Sequence, residues 1–122
     1  MSELSNETCE ACRFDAPLVR DDERVELGHQ VPDWETVRVD EVERLRRIFQ
    51  LKDYQQAVAF TNHIAEVAER EDHHPLIVLE WGKVTVEWWT HKIKGLHRND
   101  FISAAKTDRI FADLTGGTQV TA

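Results

Sequence analysis

Residues 53–91 read DYQQAVAFTNHIAEVAEREDHHPLIVLEWGKVTVEWWTH, and a change of period inside this stretch decides the fold. Ala57, Phe60, Ile64 and Val67 recur at helical intervals, and Val58, Ala65 and Ala68 widen the stripe. Asp53 stands where an N-cap is wanted, so an amphipathic helix is predicted over 53–70. Pro75 then prevents continuation and pushes His74 towards extended backbone. Beyond it, Leu76-Ile77-Val78-Leu79 is a short apolar run, Gly82-Lys83 supplies a turn, and Val84, Val86 and Trp88 alternate with Thr85, Glu87 and Trp89. The stretch is a helix followed by a hairpin.

Working upstream, Trp34 to Val39 alternates apolar and polar residues, and Leu45 to Phe49 is a second short strand candidate. Asp40-Glu41 lies near the turn between them, which predicts a first hairpin. Residues 21–28 read as a short helix with acidic residues in the first turn and Gly28 as its stop. Downstream of Gly95, a last helix is predicted from about 98 to 113, with Phe101, Ala104, Ala105, Asp108 and Phe111 at helical spacing. The order is helix, two strands, helix, two strands, helix. Consecutive hairpins favour an α+β domain: a four-stranded antiparallel sheet with three helices on one face. Residues 1–19 and 115–122 are expected to be flexible tails around a single domain over 20–114.

With 122 residues the chain suffices for one domain. Its net charge of −8 is uneven: residues 1–43 carry 4 Lys/Arg against 13 Asp/Glu, and residues 44–122 carry 11 against 10. That balance opposes nucleic-acid binding. No apolar run approaches the roughly 18 residues needed to span a bilayer, and the N-terminus lacks the basic start and apolar stretch of a signal peptide. A cytoplasmic protein is the expectation. Cys9 and Cys12 form one Cys-x-x-Cys without the second pair or matched histidines of a zinc site, and without a thioredoxin-like context. They are read as part of the quiet N-terminal tail.

The chemistry concentrates in histidines. His73 and His74 sit on the stiff junction before Pro75, and His91 follows at the end of the hairpin that begins there. A hairpin returns its second strand to the starting end, so His91 is expected near His73 and His74. Imidazoles titrate near neutral pH and can both donate and accept protons. Glu69, one helical turn before His73, and Asp100, in the first turn of the last helix, could each orient an imidazole, although Asp100 is first a capping residue. Trp81, Trp88 and Trp89 offer flat aromatic surface for a ring-shaped ligand. His29, His63 and His97 are read as structural or surface residues. A zinc site is disfavoured, because adjacent histidines are awkward joint ligands.

The spacing Glu69, three residues, His73-His74-Pro75, five residues, Trp81, nine residues, His91, eight residues, Asp100 resembles the pterin-4a-carbinolamine dehydratase family. Thr90-His91 and Gly95-Leu96 resemble it too, and the similarity spans roughly residues 17–113. The N-terminal Cys9-to-Arg13 run and Gly95-to-Asp100 resemble bacterial members that serve phenylalanine hydroxylase. The resemblance implies the α+β fold derived above and a homodimer or homotetramer. It implies dehydration of 4a-hydroxytetrahydropterin to quinonoid dihydropterin, which recycles the cofactor of an aromatic amino acid hydroxylase. The pterin is then the substrate, and no cofactor or metal is expected.

In that reaction the hydroxyl on ring carbon 4a leaves as water and needs a general acid, while the neighbouring ring nitrogen loses a proton. The catalytic set expected here is His73, His74 and His91, with His73 and His91 moving protons and His74 holding the pterin. Glu69, Asp72, Pro75, Trp89, Thr90 and Asp100 are the expected substrate-binding residues. Three departures from the family bear on ligand orientation: Leu76-Ile77 stands where many animal members have Glu-Trp, Asn99 stands where an arginine is common, and His97 replaces the usual hydroxyl N-cap. Trp89 could supply the missing tryptophan contact. The alternative reading, also implied by relatives, is a non-catalytic regulatory protein that acts as a dimerisation cofactor.

Overall fold

A computed structural model describes residues 4–6 and 18–116. Helix α1 spans Asp21–Gly28, strands β1 and β2 span Glu35–Val39 and Val42–Gln50, and helix α2 spans Tyr54–Glu71. Strands β3 (Leu76–Glu80) and β4 (Lys83–Trp88) and helix α3 (Arg98–Leu114) complete the domain. The strands form one antiparallel sheet in the order β1-β2-β4-β3, and this is the α+β arrangement expected from the pattern. Among the described residues no helix is long and apolar enough to cross a membrane. Cys9 and Cys12 lie outside the described residues, as does most of the expected N-terminal tail.

The core forms where the two periods meet. Phe60, Ile64 and Ala68 of α2 and Phe101, Ala104 and Phe111 of α3 are buried with Leu45 and Phe49 of β2 and Val84, Val86 and Trp88 of β4. Phe49 is the hub: its ring lies 4.7 Å from Phe60, 5.0 Å from Phe111 and 5.9 Å from Trp34. Burying one such aromatic side chain contributes about 1.5–3 kcal/mol. The opposite sheet face is open, and there Ile48, Leu76 and Val78 are exposed.

Strand β2 begins at Val42, three residues before the predicted Leu45. Val42, Glu43 and Arg44 fall outside the predicted strand, yet they belong to it, and Arg44 and Arg46 lie on the open face and bond Glu87 of β4 (2.9 and 2.7 Å). The β1–β2 turn is made by Asp40 and Glu41, both at positive φ (49° and 67°), so it takes only two residues. Leu4–Asn6 form a short 3-10 turn against α3: Leu4 is fully buried, and Lys106 Nζ donates to the Ser5 carbonyl (2.9 Å). The burial of Leu4 gives that piece of the N-terminal stretch a hydrophobic anchor on the domain.

Candidate active site

The end of α2 sets the site. Asp72 turns into the left-handed region (φ 51°, ψ 42°), and its N–H reaches the carbonyls of Ala68 and Glu69. The His73 N–H returns to the Ala68 carbonyl (3.1 Å), so the helix closes and the chain leaves it at a fixed angle. Pro75, just ahead of β3, then favours extended backbone at His74. His73 and His74 sit between these two constraints.

His73 turns inward. It is 3% exposed, its ring stacks on Trp88 (5.3 Å, 21°), and its Nε2 lies 2.7 Å from Asp100 Oδ1. Asp100 is fully buried at the start of α3, and its Oδ2 accepts from Thr90 Oγ1 (2.9 Å) and from the His97 N–H (2.8 Å). His97 reciprocates, because its Nδ1 accepts the Asn99 N–H (3.0 Å), and the two residues form a capping box with an imidazole where a hydroxyl is usual. Asp100 therefore caps the helix and holds His73 at once. Trp88 is itself fixed, since its Nε1 donates to Thr107 Oγ1 (3.1 Å).

His74 turns outward, with its Nε2 2.6 Å from Glu69 Oε1 on the exposed face. His91 opens a 3-10 turn, His91–Ile93, which a bridge between Thr90 and Gly95 closes off. Its Nε2 is 3.3 Å from the His74 carbonyl, and its ring stacks on Trp89 (4.4 Å, 26°). The hairpin has returned His91 to the His-His-Pro junction, as its geometry required. A carbonyl or carboxylate can only accept, so each Nε2 carries the proton in these contacts. In neutral His74 and His91 the proton-accepting nitrogen is then Nδ1.

Of the other expected site residues, Pro75 is half-buried at the start of β3, and Asp72 is exposed and is distinguished only by its helix-ending backbone. Thr90 is buried and spends its hydroxyl on Asp100. Trp81 lies at the far end of the β3–β4 hairpin, 72% exposed and a strand length of about 16 Å from the histidines, and Trp88 is buried beneath His73. Of the three tryptophans expected to offer ring surface, Trp89 alone adjoins the exposed imidazoles. Sequence reading had Asp100 as a capping residue and His97 in the N-cap place, as found, but it missed that Thr90 donates to the same carboxylate.

Among the described residues no three His, Cys, Asp or Glu side chains converge on a point that could hold a metal ion. The three Nε2 atoms instead face three different oxygens. A cavity of about 410 Å³ lies by Trp34, Arg46 and Arg47, and none of the three histidines lines it. Its arginines are already committed, Arg46 to Glu87 (2.7 Å) and Arg47 to Asp108 (2.6 Å), which leaves the imidazole cluster as the better candidate for chemistry.

The fold and this cluster define a small α+β protein with three imidazoles gathered at the His73-His74-Pro75 junction. Residues 17–110 match the family described as pterin 4 alpha carbinolamine dehydratase. A protein of Marinobacter nauticus is 54% identical over 111 residues, covering 91% of this chain and all of the relative. One of Nitrosococcus oceani is 56% identical over 110 residues, covering 90% and 97%. Both are provisionally named pterin-4-alpha-carbinolamine dehydratases. A crystal structure from Brucella melitensis, titled a transcriptional coactivator/pterin dehydratase, superposes with a TM-score of 0.69 at 30% identity, covering 77% of this chain and 98% of that one. The chain belongs to the pterin-4a-carbinolamine dehydratase family, a family of hydro-lyases.

Proposed function

We propose that the chain dehydrates 4a-hydroxytetrahydropterin in the cytoplasm and so recycles the cofactor of an aromatic amino acid hydroxylase, phenylalanine hydroxylase being the expected partner. The observation that carries this is the placing of His73, His74 and His91 around one chain junction, each with its Nε2 bound to a separate oxygen. The carbon–oxygen bond at ring carbon 4a breaks, the leaving hydroxyl takes a proton and departs as water, and the adjacent ring nitrogen gives one up as the double bond forms. The protein's proton count is unchanged over one turnover.

His91 and His73 are assigned the proton transfers and His74 the hold on the ring. The exposure of His74 and His91 supports an approach from solvent, with His73 and Asp100 as the floor of the site. Positioned acid–base groups of this kind contribute roughly 10²–10⁴ in rate. No cofactor is assigned, and a homodimer or homotetramer is the proposed assembly. The test is the decay of 4a-hydroxytetrahydropterin with and without protein, repeated after EDTA. Acceleration that survives the chelator supports the proposal, whereas a folded protein without acceleration overturns it. The coactivator half of the Brucella protein's title favours a second reading, a regulatory binding role. Under that reading, alanine at both His73 and His74 leaves the cellular phenotype unchanged.

A further inference from the structure

Arg44 lies on β2, a strand that contributes none of the three histidines, yet its guanidinium carbon sits 3.8 Å from the centre of the Trp89 ring. Trp89 in turn stacks on His91 at 4.4 Å. The guanidinium is fixed from a second direction: Nη1 donates to Glu87 Oε1 (2.9 Å), and Glu87, 5% exposed, is held on its other oxygen by Arg46 (Nε 2.8 Å). The Arg44 Nε is buried and makes no hydrogen bond within the described residues. The indole lies against the guanidinium carbon while Glu87 takes the Nη1 proton, and the cation–ring contact is the second interaction that holds this group. The side chain of Arg44 is 15% exposed, so the contact is built into the sheet.

We propose that Arg44 is a positioning residue for His91, acting through Trp89, with Glu87 and Arg46 clamping the guanidinium. The physical need is plain. Among the described residues the His91 ring makes one hydrogen bond, a long one of 3.3 Å to the His74 carbonyl, and the ring is exposed. One such bond leaves an imidazole free to swing about it. Stacking on an indole that cannot move removes that freedom, and Arg44 is what keeps the indole still. A desolvated cation on an indole face contributes more than an exposed one, and this guanidinium is largely desolvated.

The role in turnover rests on the dehydratase reading, whereas the orientation of His91 does not, so the experiment reads them separately. Ring-proton NMR of His91 is recorded in the full-length parent protein, Arg44→Met and Arg44→Lys, with kcat and KM for 4a-hydroxytetrahydropterin measured on the same samples. An imidazole stacked on indole has its ring protons shifted upfield. The expectation is that Arg44→Met moves them towards the position of an unstacked histidine and lowers kcat about 10-fold with little change in KM, as a misplaced catalytic group does. Arg44→Lys, which keeps a cation by the ring, should restore part of both. Trp89→Leu gives the same two changes by removing the platform. If the His91 resonances do not move in a folded Arg44→Met protein, the proposal fails whatever the activity. If they move and Arg44→Met keeps the kcat of a parent protein that is active as a dehydratase, the positioning role in turnover fails. A parent protein without dehydratase activity sinks the functional reading and leaves the NMR result to decide the orientation.

Discussion

Replacing Asp100 by asparagine would separate the two duties of that side chain. Its carboxylate accepts three hydrogen bonds: Oδ1 takes His73 Nε2, and Oδ2 takes Thr90 Oγ1 and the His97 N–H. An amide has one oxygen and one NH₂. Two donors compete for the Oδ2 position and one for the Oδ1 position, so the amide oxygen stays with Thr90 and His97 and the NH₂ faces His73. A ring N–H cannot remain opposite it, and His73 must move its proton to Nδ1 so that Nε2 can accept.

Helix α3 therefore keeps its cap, and the stability loss is that of exchanging charge-assisted bonds for neutral ones in a buried place, about 1–3 kcal/mol. The tautomer of His73 is inverted, and turnover should fall roughly 10²-fold or more. Denaturant unfolding measures the first effect, pterin dehydration the second, and ¹⁵N shifts of the His73 ring show which nitrogen is protonated. Turnover close to that of the parent protein, with the ¹⁵N spectrum showing the inverted tautomer, would refute the reasoning. It would mean that His73 does not work through the nitrogen opposite Asp100's hold.

The exposed imidazoles should behave differently. His91→Ala is expected to lose most turnover while unfolding within about 0.5 kcal/mol of the parent protein, since exposed side chains add little packing. His74→Ala should raise KM more than it lowers kcat, and Glu69→Gln should do so weakly, because the contact is exposed and even a charged pair there would be worth about 0–1 kcal/mol. The acid limb of stability carries its own test. Both Glu43 oxygens accept from Arg24 (2.8 and 2.9 Å), which holds that carboxyl below its ordinary value. A lowered folded-state value means stability that is present above the unfolded value and lost as pH falls through the folded one. Glu43→Gln should therefore cost stability at neutral pH and converge on the parent protein under acid, as read by urea midpoints. Asp108 runs the other way: burial pushes its carboxyl up despite bonds from Trp34 and Arg47, so falling pH relieves a penalty there. Asp108→Asn should remove that opposing rise from the acid limb.

The period-2 and period-3.6 signals carried the order of the elements because burial is regular along β4, α2 and α3. They were weak in β2 for a physical reason. Arg44 and Arg46 occupy the positions that face away from the helices, and their partner Glu87 is on another strand, so nothing local in the sequence shows the charges to be neutralised within a sheet. The place of Trp81 was, by contrast, legible from the Gly82-Lys83 turn beside it. Its spacing fits the family motif, but a hairpin turn places it at the end opposite the histidines. The role of Arg44 was illegible for the same reason as that of Glu87: it depends on the β2–β4 register, which pairs Leu45 with Trp88 and brings Arg44 alongside Trp89.

The histidine pair was legible, and the opposite placement of its two rings follows from backbone geometry. Once α2 has ended at Asp72 and Pro75 has enforced extended backbone, successive side chains must point to opposite sides. Two adjacent histidines at a strand entrance therefore cannot share a partner: one goes to the core and one to solvent. The inner position falls beside the first turn of α3, where the helix already wants an acidic residue as its cap partner, so Asp100 meets both needs with one carboxylate. The outer position falls one turn beyond Glu69 on α2, and that residue supplies the second carboxylate. The hairpin then brings His91 back to the carbonyl of His74 itself, so the third imidazole is registered against the backbone of the junction. A helix end, a proline and a hairpin of fixed length thus suffice to place three imidazoles in three different environments, and the proposed dehydration, which both gives and takes a proton, would draw on that inequality.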